Sequence, residues 1–419
     1  MRKYGFLICV LFFPVMMFAQ TAEQTARNFV NAFMQENYDK ALSYTDSSFK
    51  ANVTPAALKQ ISDGIKLQHG KFKNIISIAF KQEASFKAYY VYTAFEKDSL
   101  DIKTVFNKEG KIVGMFHSRH PNDADYFIQS GNIKIPGTLL TAKDNNQKKL
   151  VILVHGSGPG DRDETLAKIK PFKDLAEGLL KKGISSYRYD KRTNFAPNSM
   201  PEDYSIDDEV TNDVLNIIKY FKSNDSYRNY KIYVIGHSLG AMMAPRIASK
   251  ANGTVSGIVM MAGPTRQIET LLLDQINYLD SLFPSPQLDA QKQLIEKQVR
   301  YIHSQAFNQH SPKDSLVGHL PASYLISLKN YHPLQLIKTL NIPVYIIQGE
   351  KDYQVTMFDF DNWKKAARGK SNINFKSFPG LSHTFMSSEG VPSPNDYLGE
   401  KHIAQNVIDD ICNWILTHE

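Results

Sequence analysis

Ser238 is the residue whose surroundings point most directly to chemistry. It lies in Gly236-His237-Ser238-Leu239-Gly240, a Gly-x-Ser-x-Gly pattern. The apolar run Ile232–Ile235 before it reads as a buried strand, and the small and apolar residues Ala241–Ala248 after it read as a helix. Strand, sharp turn and helix are the context in which this pattern predicts a nucleophile elbow. The turn forces the backbone close to both neighbours, so the flanking positions must be small. A serine hydroxyl is a poor nucleophile until a base takes its proton, and the base needs a third group to orient it.

Both partners can be read further along the chain, in the order Ser, Asp, His. The strand Val344–Ile347 leads into Gly349-Glu350-Lys351-Asp352, which puts a carboxylate in a turn at the strand's carboxyl end. Asp352 is the expected acid, with Glu350 as its rival. The strand Ile373–Phe378 leads into Pro379-Gly380-Leu381-Ser382-His383, which puts a histidine on a loop at the same edge. His402 and His418, near the last helix, and His303, His310, His319 and His332 lack that placement.

Attack on a carbonyl creates an oxyanion that needs preorganised donors. The N–H of Leu239, beside the nucleophile at a helix start, is one. The other is expected from the glycine-rich loop His155-Gly156-Ser157-Gly158-Pro159-Gly160, with Ser157 favoured and Gly156 and Gly158 as alternatives. No Gly-Lys-Ser/Thr follows, which argues against a phosphate loop. No His, Cys and carboxylate cluster has metal-ligand spacing, so neither metal nor cofactor is expected.

These residues need a scaffold. Beyond a polar boundary at Ser118–Asp125, Phe127–Ile135 and Gly137–Ala142 read as a hairpin. Strands then alternate with helices: Leu150–Val154, helix Pro171–Lys182, Ile184–Tyr189, helix Ile206–Ser223, Lys231–Ile235, Gly257–Met261, Pro343–Gln348, Ile373–Phe378 and helix His402–Thr417. Such alternation implies a mostly parallel sheet covered on both faces, with its site at the carboxyl ends of the strands. Residues 264–341 exceed an ordinary crossover and carry helical patterns at Gln267–Leu282, Gln287–Gln305 and Ala322–Asn330, so a helical lid is expected there. Residues 21–119 read as a separate α+β domain. Its helices are Thr21–Met34, Tyr38–Tyr44 and Pro55–Gln68, followed by strands Phe72–Phe80, Ser85–Phe95, Ser99–Phe106 and Lys111–His117.

Length and composition agree with two folded parts: 419 residues, 42 % hydrophobic and 22 % charged. The net charge of +7 is spread out, whereas nucleic-acid binding calls for a concentrated basic stripe. Arg2, Lys3, the apolar stretch Leu7–Phe18 and Ala19 read as a signal peptide over residues 1–20, too short for a permanent membrane anchor. Export to a periplasm or beyond is expected. The mature chain then keeps only Cys412, which excludes an intramolecular disulfide.

Several motifs stand in order: His155–Pro159 with Asp161-Arg162-Asp163, Arg188–Arg192, and Gly236–Gly240 with Ala244-Pro245. With them the chain from about Gln129 onward resembles the α/β-hydrolase superfamily, and most of all its exported bacterial members. Residues 21–119 look like the small nuclear-transport-factor-like domain that precedes many of those enzymes. Two positions depart from that pattern: Ala241 replaces a second glycine, and Thr193 replaces the glycine that usually ends Arg-Tyr-Asp-Lys-Arg. The resemblance implies Ser238, Asp352 and His383 as a triad. Asp190 and Arg192 are expected to pin loops by ion pairing rather than to contact substrate. Asp161, Arg162 and Asp163 read as a loop-fixing polar cluster or a helix N-terminus. The expected activity is that of an exported carboxylesterase acting on small or medium acyl esters. A peptidase or acyltransferase on the same triad, a non-catalytic binding module, and a scaffold centred on the N-terminal domain are the alternatives. Oligomeric state is not legible.

Overall fold

The computed structural model describes residues 21–83, 86–97, 99–120, 125–143 and 147–418. The segment 1–20 expected to be a signal peptide lies outside them. The chain divides into two compact units, residues 1–120 and 121–419.

In the first unit, helices α1 (Ala22–Met34), α2 (Tyr38–Ser43), α3 (Ser47–Asn52) and α4 (Pro55–His69) precede strands β1 (Phe72–Glu83), β2 (Phe86–Phe95), β3 (Ser99–Phe106) and β4 (Ile112–Arg119). The strands form one antiparallel sheet in the order β1-β2-β3-β4. The stripe Ala26, Phe29, Val30 and Phe33 of α1 meets Val91, Phe95, Leu100, Ile102 and Phe106 of the sheet in one core. Thr21 caps α1, Asp46 caps α3 and Thr54 caps α4, each accepting a first-turn backbone N–H.

The second unit begins with β5 (Tyr126–Ser130) and β6 (Ile133–Leu140). Their hairpin turns at Gly131, at φ 60, and not near Pro136 as its sequence pattern suggested. Pro136 instead sits inside β6 opposite Phe127, and its carbonyl accepts the N–H of Asp190 at 2.9 Å. Then follow β7 (Lys149–Val154), α5 (Pro171–Lys181), β8 (Ser185–Tyr189), a single turn α6 (Arg192–Phe195), α7 (Asn212–Ser223), β9 (Lys231–His237), α8 (Leu239–Lys250) and β10 (Val255–Met261). Four helices come next: α9 (Ile268–Leu282), α10 (Pro286–Ile302), α11 (Ala322–Lys329) and the short α12 (Pro333–Leu336). The unit ends with β11 (Val344–Gly349), α13 (Met357–Ala366), β12 (Ile373–Phe378) and α14 (Gln405–Thr417). The helix expected over Ile206–Ser223 is α-helical only from Asn212, because Asp207–Thr211 form a π-helical turn. The last helix starts three residues later than expected, since Ala404 already bonds back to Phe385.

The eight strands order as β12-β11-β10-β9-β7-β8-β6-β5. From β8 to β12 all neighbours are parallel, and β6 joins β8 antiparallel. Alternation along the central strands splits the interior into two cores. Leu150, Ile152 and Val154 of β7, with Ile232 and Val234 of β9, face α7, α8 and the inserted helices. Val151, Leu153, Tyr233 and Ile235 face α5 and α14. Strands buried on both faces explain why these segments read as continuous apolar runs. Parallel strands also deliver the loops after β7, β9, β11 and β12 to one edge of the sheet.

Candidate active site

The elbow after β9 is built on two glycines that tolerate nothing larger. A Cβ on Gly236 would sit 2.2 Å from the carbonyl oxygen of Gly240, and one on Gly240 would sit 2.2 Å from that of Val154. Ser238 between them takes φ 53 and ψ −117, a strained conformation for an L-residue that costs on the order of 1–3 kcal/mol and persists only where surroundings enforce it. Its N–H donates to Met261 of β10 at 2.9 Å, and its carbonyl opens α8 by accepting from Met242 at 3.0 Å. Leu239 is the first residue of α8, so its N–H has no partner within the helix.

The turn after β11 holds Asp352, whose side chain is fully buried. One carboxylate oxygen accepts the backbone N–H groups of Gln354 and Val355 at 2.8 and 2.9 Å. The other accepts from Gln348 Nε2 at 2.9 Å and meets His383 Nδ1 at 2.6 Å. A carboxylate accepts only, so Nδ1 carries a proton and Nε2 is the ring nitrogen not held by the acid. Glu350 is directed elsewhere: it is exposed and accepts from Ser377 Oγ at 2.7 Å. Gly349 lets the acid turn touch the histidine loop, since a Cβ there would lie 2.4 Å from the carbonyl oxygen of Ser382. Lys351 N–H donates to Leu381 at 2.9 Å across the same seam.

The glycine-rich loop after β7 is held from two sides. The N–H of Gly156 donates to Glu164 Oε1 at 2.7 Å, which removes Gly156 as an oxyanion donor. Lys191 Nζ donates to the carbonyls of Gly156 and Gly158 at 2.8 and 2.9 Å and pairs with Glu209. In a trans peptide the C=O and the following N–H point opposite ways. With the Gly156 carbonyl drawn to Lys191, the Ser157 N–H is turned away from that lysine. Ser157 itself is exposed. His155 packs edge-on to Tyr189 and tilted against Phe172, and bonds to the Asp161 carbonyl at 2.8 Å. Burial pushes its pKa down.

Asp190 and Arg192 both pair, but not with each other. Arg162 binds Asp190 through two contacts of 3.0 and 2.7 Å and reaches Asp125 at 2.6 Å, while Arg192 pairs with Asp213 at 2.5 Å. Asp163 pairs with Arg188 at 2.8 Å, and Asp161 accepts the N–H of Thr165 at 2.9 Å. Asp161–Asp163 is therefore a loop-fixing cluster, and α5 begins only at Pro171.

Glu164, His237, Lys191, Glu209 and Gln348 surround the site without having been singled out from sequence. Burial alone would lower the His237 pKa, but the Glu164 carboxylate, 3.0 Å from Nδ1, outweighs it and raises the pKa. Glu164 is likewise held below the usual carboxylate range: burial opposes this, and the His237 charge overcomes it.

A mostly parallel sheet in this strand order, with a serine elbow after β9 and a carboxylate–imidazole pair after β11 and β12, defines an α/β-hydrolase. Residues 145–389 match the family described as serine aminopeptidase, S33. The chain belongs to that family. Over 417 residues it is 33 % identical to esterase EstD from Thermotoga maritima, covering 97 % of this chain and 98 % of that one. Residues 26–115 match a family described as a protein of unknown function, DUF3887. Among solved structures, Est1E from Butyrivibrio proteoclasticus is similar at 15 % identity, with 70 % of this chain and 98 % of that chain covered and a TM-score of 0.46. The Pyrococcus furiosus esterase Pf2001 is similar at 16 % identity, with 70 % and 89 % covered and a TM-score of 0.47.

Proposed function

We propose that the chain is an exported carboxylesterase that cleaves small or medium acyl esters through an acyl-enzyme on Ser238. The observation that carries this reading is the 2.6 Å contact of His383 Nδ1 with Asp352, at the same sheet edge as a serine on a strained elbow. The likeness to an esterase over nearly the whole chain supports the choice of ester bonds. His383 Nε2 takes the Ser238 proton as Oγ attacks the carbonyl, and Asp352 stabilises the imidazolium. The oxyanion is met by the N–H groups of Leu239 and Ser157. Collapse expels the alcohol, which receives the proton from His383. Water then attacks the acyl-enzyme, giving its proton to His383, which passes it to Ser238 Oγ as the acyl–oxygen bond breaks and the acid leaves.

The inserted helices serve as the lid in this reading. Tyr278 of α9 stacks on Tyr353 with ring centroids 5.5 Å apart and donates to the Pro392 carbonyl at 2.7 Å. Arg266, Tyr278, Tyr353 and Met357 are among the residues lining a cleft of about 500 Å³ beside Asp352. Export rests on residues 1–20, and N-terminal sequencing of the protein from a cell envelope fraction tests it: a chain still beginning at Met1 argues against cleavage.

The decisive experiment is Ser238→Ala on an aryl acetate, with fluorophosphonate labelling in parallel. Turnover and labelling are expected to vanish while the thermal transition stays in place, and undiminished turnover would sink the triad. An ester panel of graded acyl length then sets the acyl preference. A second reading, a peptidase, is favoured by the family's description as a serine aminopeptidase. Faster turnover of a proline anilide than of a butyrate ester would select it.

A further inference from the structure

The oxyanion loop, the elbow and the loop of His383 come from three separate connections, and one buried run of contacts joins them. Glu164 Oε1 accepts the Gly156 N–H at 2.7 Å, while Oε2 stands 3.0 Å from His237 Nδ1. The two atoms of that second contact meet off the hydrogen-bonding line, so it is an ion pair first. On the far side of the ring, His237 Nε2 lies 3.0 Å from the carbonyl oxygen of His383. A carbonyl only accepts, so Nε2 carries a proton. The rings of His237 and His383 are 4.6 Å apart.

This arrangement is costly. Glu164 adopts φ 53, an unfavourable conformation for any residue but glycine. Its carboxylate is buried with His237, and buried charge is expensive unless paired. The loop that carries it is already fixed without it, through Asp161 to Thr165 and Asp163 to Arg188. An apolar residue would close the loop more cheaply. The pair instead reaches both the Gly156 peptide and the His383 backbone.

We propose that Glu164 and His237 are positioning residues for the reaction at Ser238, clasping the oxyanion loop to the backbone of the catalytic base so that donor and base stay in register. The inference rests on the triad reading above. Neither side chain meets substrate: Glu164 acts through the Gly156 peptide, and His237 through the His383 carbonyl. A misplacement near 1 Å costs about 100-fold in rate.

The test uses the full chain with p-nitrophenyl butyrate, counting active sites by exhaustive fluorophosphonate titration. Glu164→Ala is expected to lower kcat per titrated site about 100-fold. KM is expected to move less than about threefold, as for a group acting only in the transition state. Glu164→Gln keeps an oxygen for the Gly156 N–H and should restore at least about tenfold of that loss. A purely structural role would reduce the number of titrated sites and leave kcat per site unchanged, and that result overturns the proposal. Should Glu164→Ala fail to fold, Glu164→Gln/His237→Leu removes the buried charges and cuts only the link to His383. Its kcat per site is expected to fall about tenfold, and an unchanged value overturns the proposal equally. Labelling that persists in Ser238→Ala would instead refute the triad, which keeps the two failures apart.

Discussion

Lys191 Nζ lies 2.8 Å from the carbonyl oxygen of Gly156, and this contact turns the Gly156–Ser157 peptide so that the Ser157 N–H points away from the lysine. The ammonium is buried, with Glu209 as its counter-ion. Removing one member of such a pair costs about 3–5 kcal/mol, because the other charge is left uncompensated. Lys191→Met should therefore lower both kcat and the urea midpoint. Lys191→Met/Glu209→Gln should recover much of the stability but not the rate, since the carbonyls stay unanchored. Full recovery of kcat in the double variant would show that Lys191 does not aim the loop.

Asp352→Asn tests the orientation of the base. The amide presents a donor or a weaker acceptor to His383 Nδ1, favouring the wrong tautomer. The expected loss in kcat is about 10⁴-fold with residual turnover from the oxyanion donors. Steady-state rates on an aryl ester measure it, and a loss under tenfold would point to another acid.

Gly240→Ala tests the elbow as a piece of backbone. Its Cβ would lie 2.2 Å from the carbonyl oxygen of Val154 and 2.6 Å from that of His155. Neither can yield as a flexible side chain would. Overpacking ordinarily costs about 1–3 kcal/mol, and a clash with two carbonyls belongs at or above the top of that range. Urea unfolding reads it directly.

The Glu164–His237 pair predicts a two-sided dependence of stability on pH. The carboxyl of Glu164 is depressed in the fold, so its contribution is present above the ordinary value of 4.5 and is lost as pH falls through the lower folded value. His237 is raised, so its contribution is full below 6.5 and is lost as pH rises through the higher folded value. His155 and Asp352 also act on the pair. The stability difference between the native chain and Glu164→Gln should be widest between those two ordinary values and narrow on either flank. A flat difference across urea titrations would show that the two groups are not paired in solution.

Much of this architecture is legible in the chain because its signals are local. Ile232–Ile235 before Gly236 and the glycines flanking Ser238 specify strand and turn without reference to anything distant. The parallel sheet follows from apolar runs separated by helical periods. Helix α13 escaped because its period is blurred: Phe358 is exposed while Phe360 and Trp363 are buried. Glu164, His237 and Lys191 escaped for a different reason. Each sits inside or beside a readable motif, yet its partner is set by tertiary structure. Glu164 finds His237 from a neighbouring connection, and Lys191 finds Gly156 and Gly158 across another. Spacing along the chain carries no mark of such pairs. The same holds for Asp190, whose partner is Arg162 rather than the nearby Arg192.

Strands β10 and β11 lie side by side, in register from Ile258 with Val344 to Met261 with Ile347. The two strands are parallel, so the chain leaves at the carboxyl end of β10, where Ala262 N–H bonds to Ile347 at 3.0 Å. It re-enters at the amino end of β11, at the opposite edge of the sheet. Helices α9 to α12 are thus carried between two anchored points at opposite ends of neighbouring strands. They are built into the fold: Val299, Ile302, Ala322 and Leu325 share a core with α8, and Tyr331 donates to the Met242 carbonyl at 2.7 Å. A change on that face is therefore felt at the helix that Ser238 opens. An exchange of these helices has to keep that inner face, while outward residues such as Leu294 can vary with little effect on the elbow.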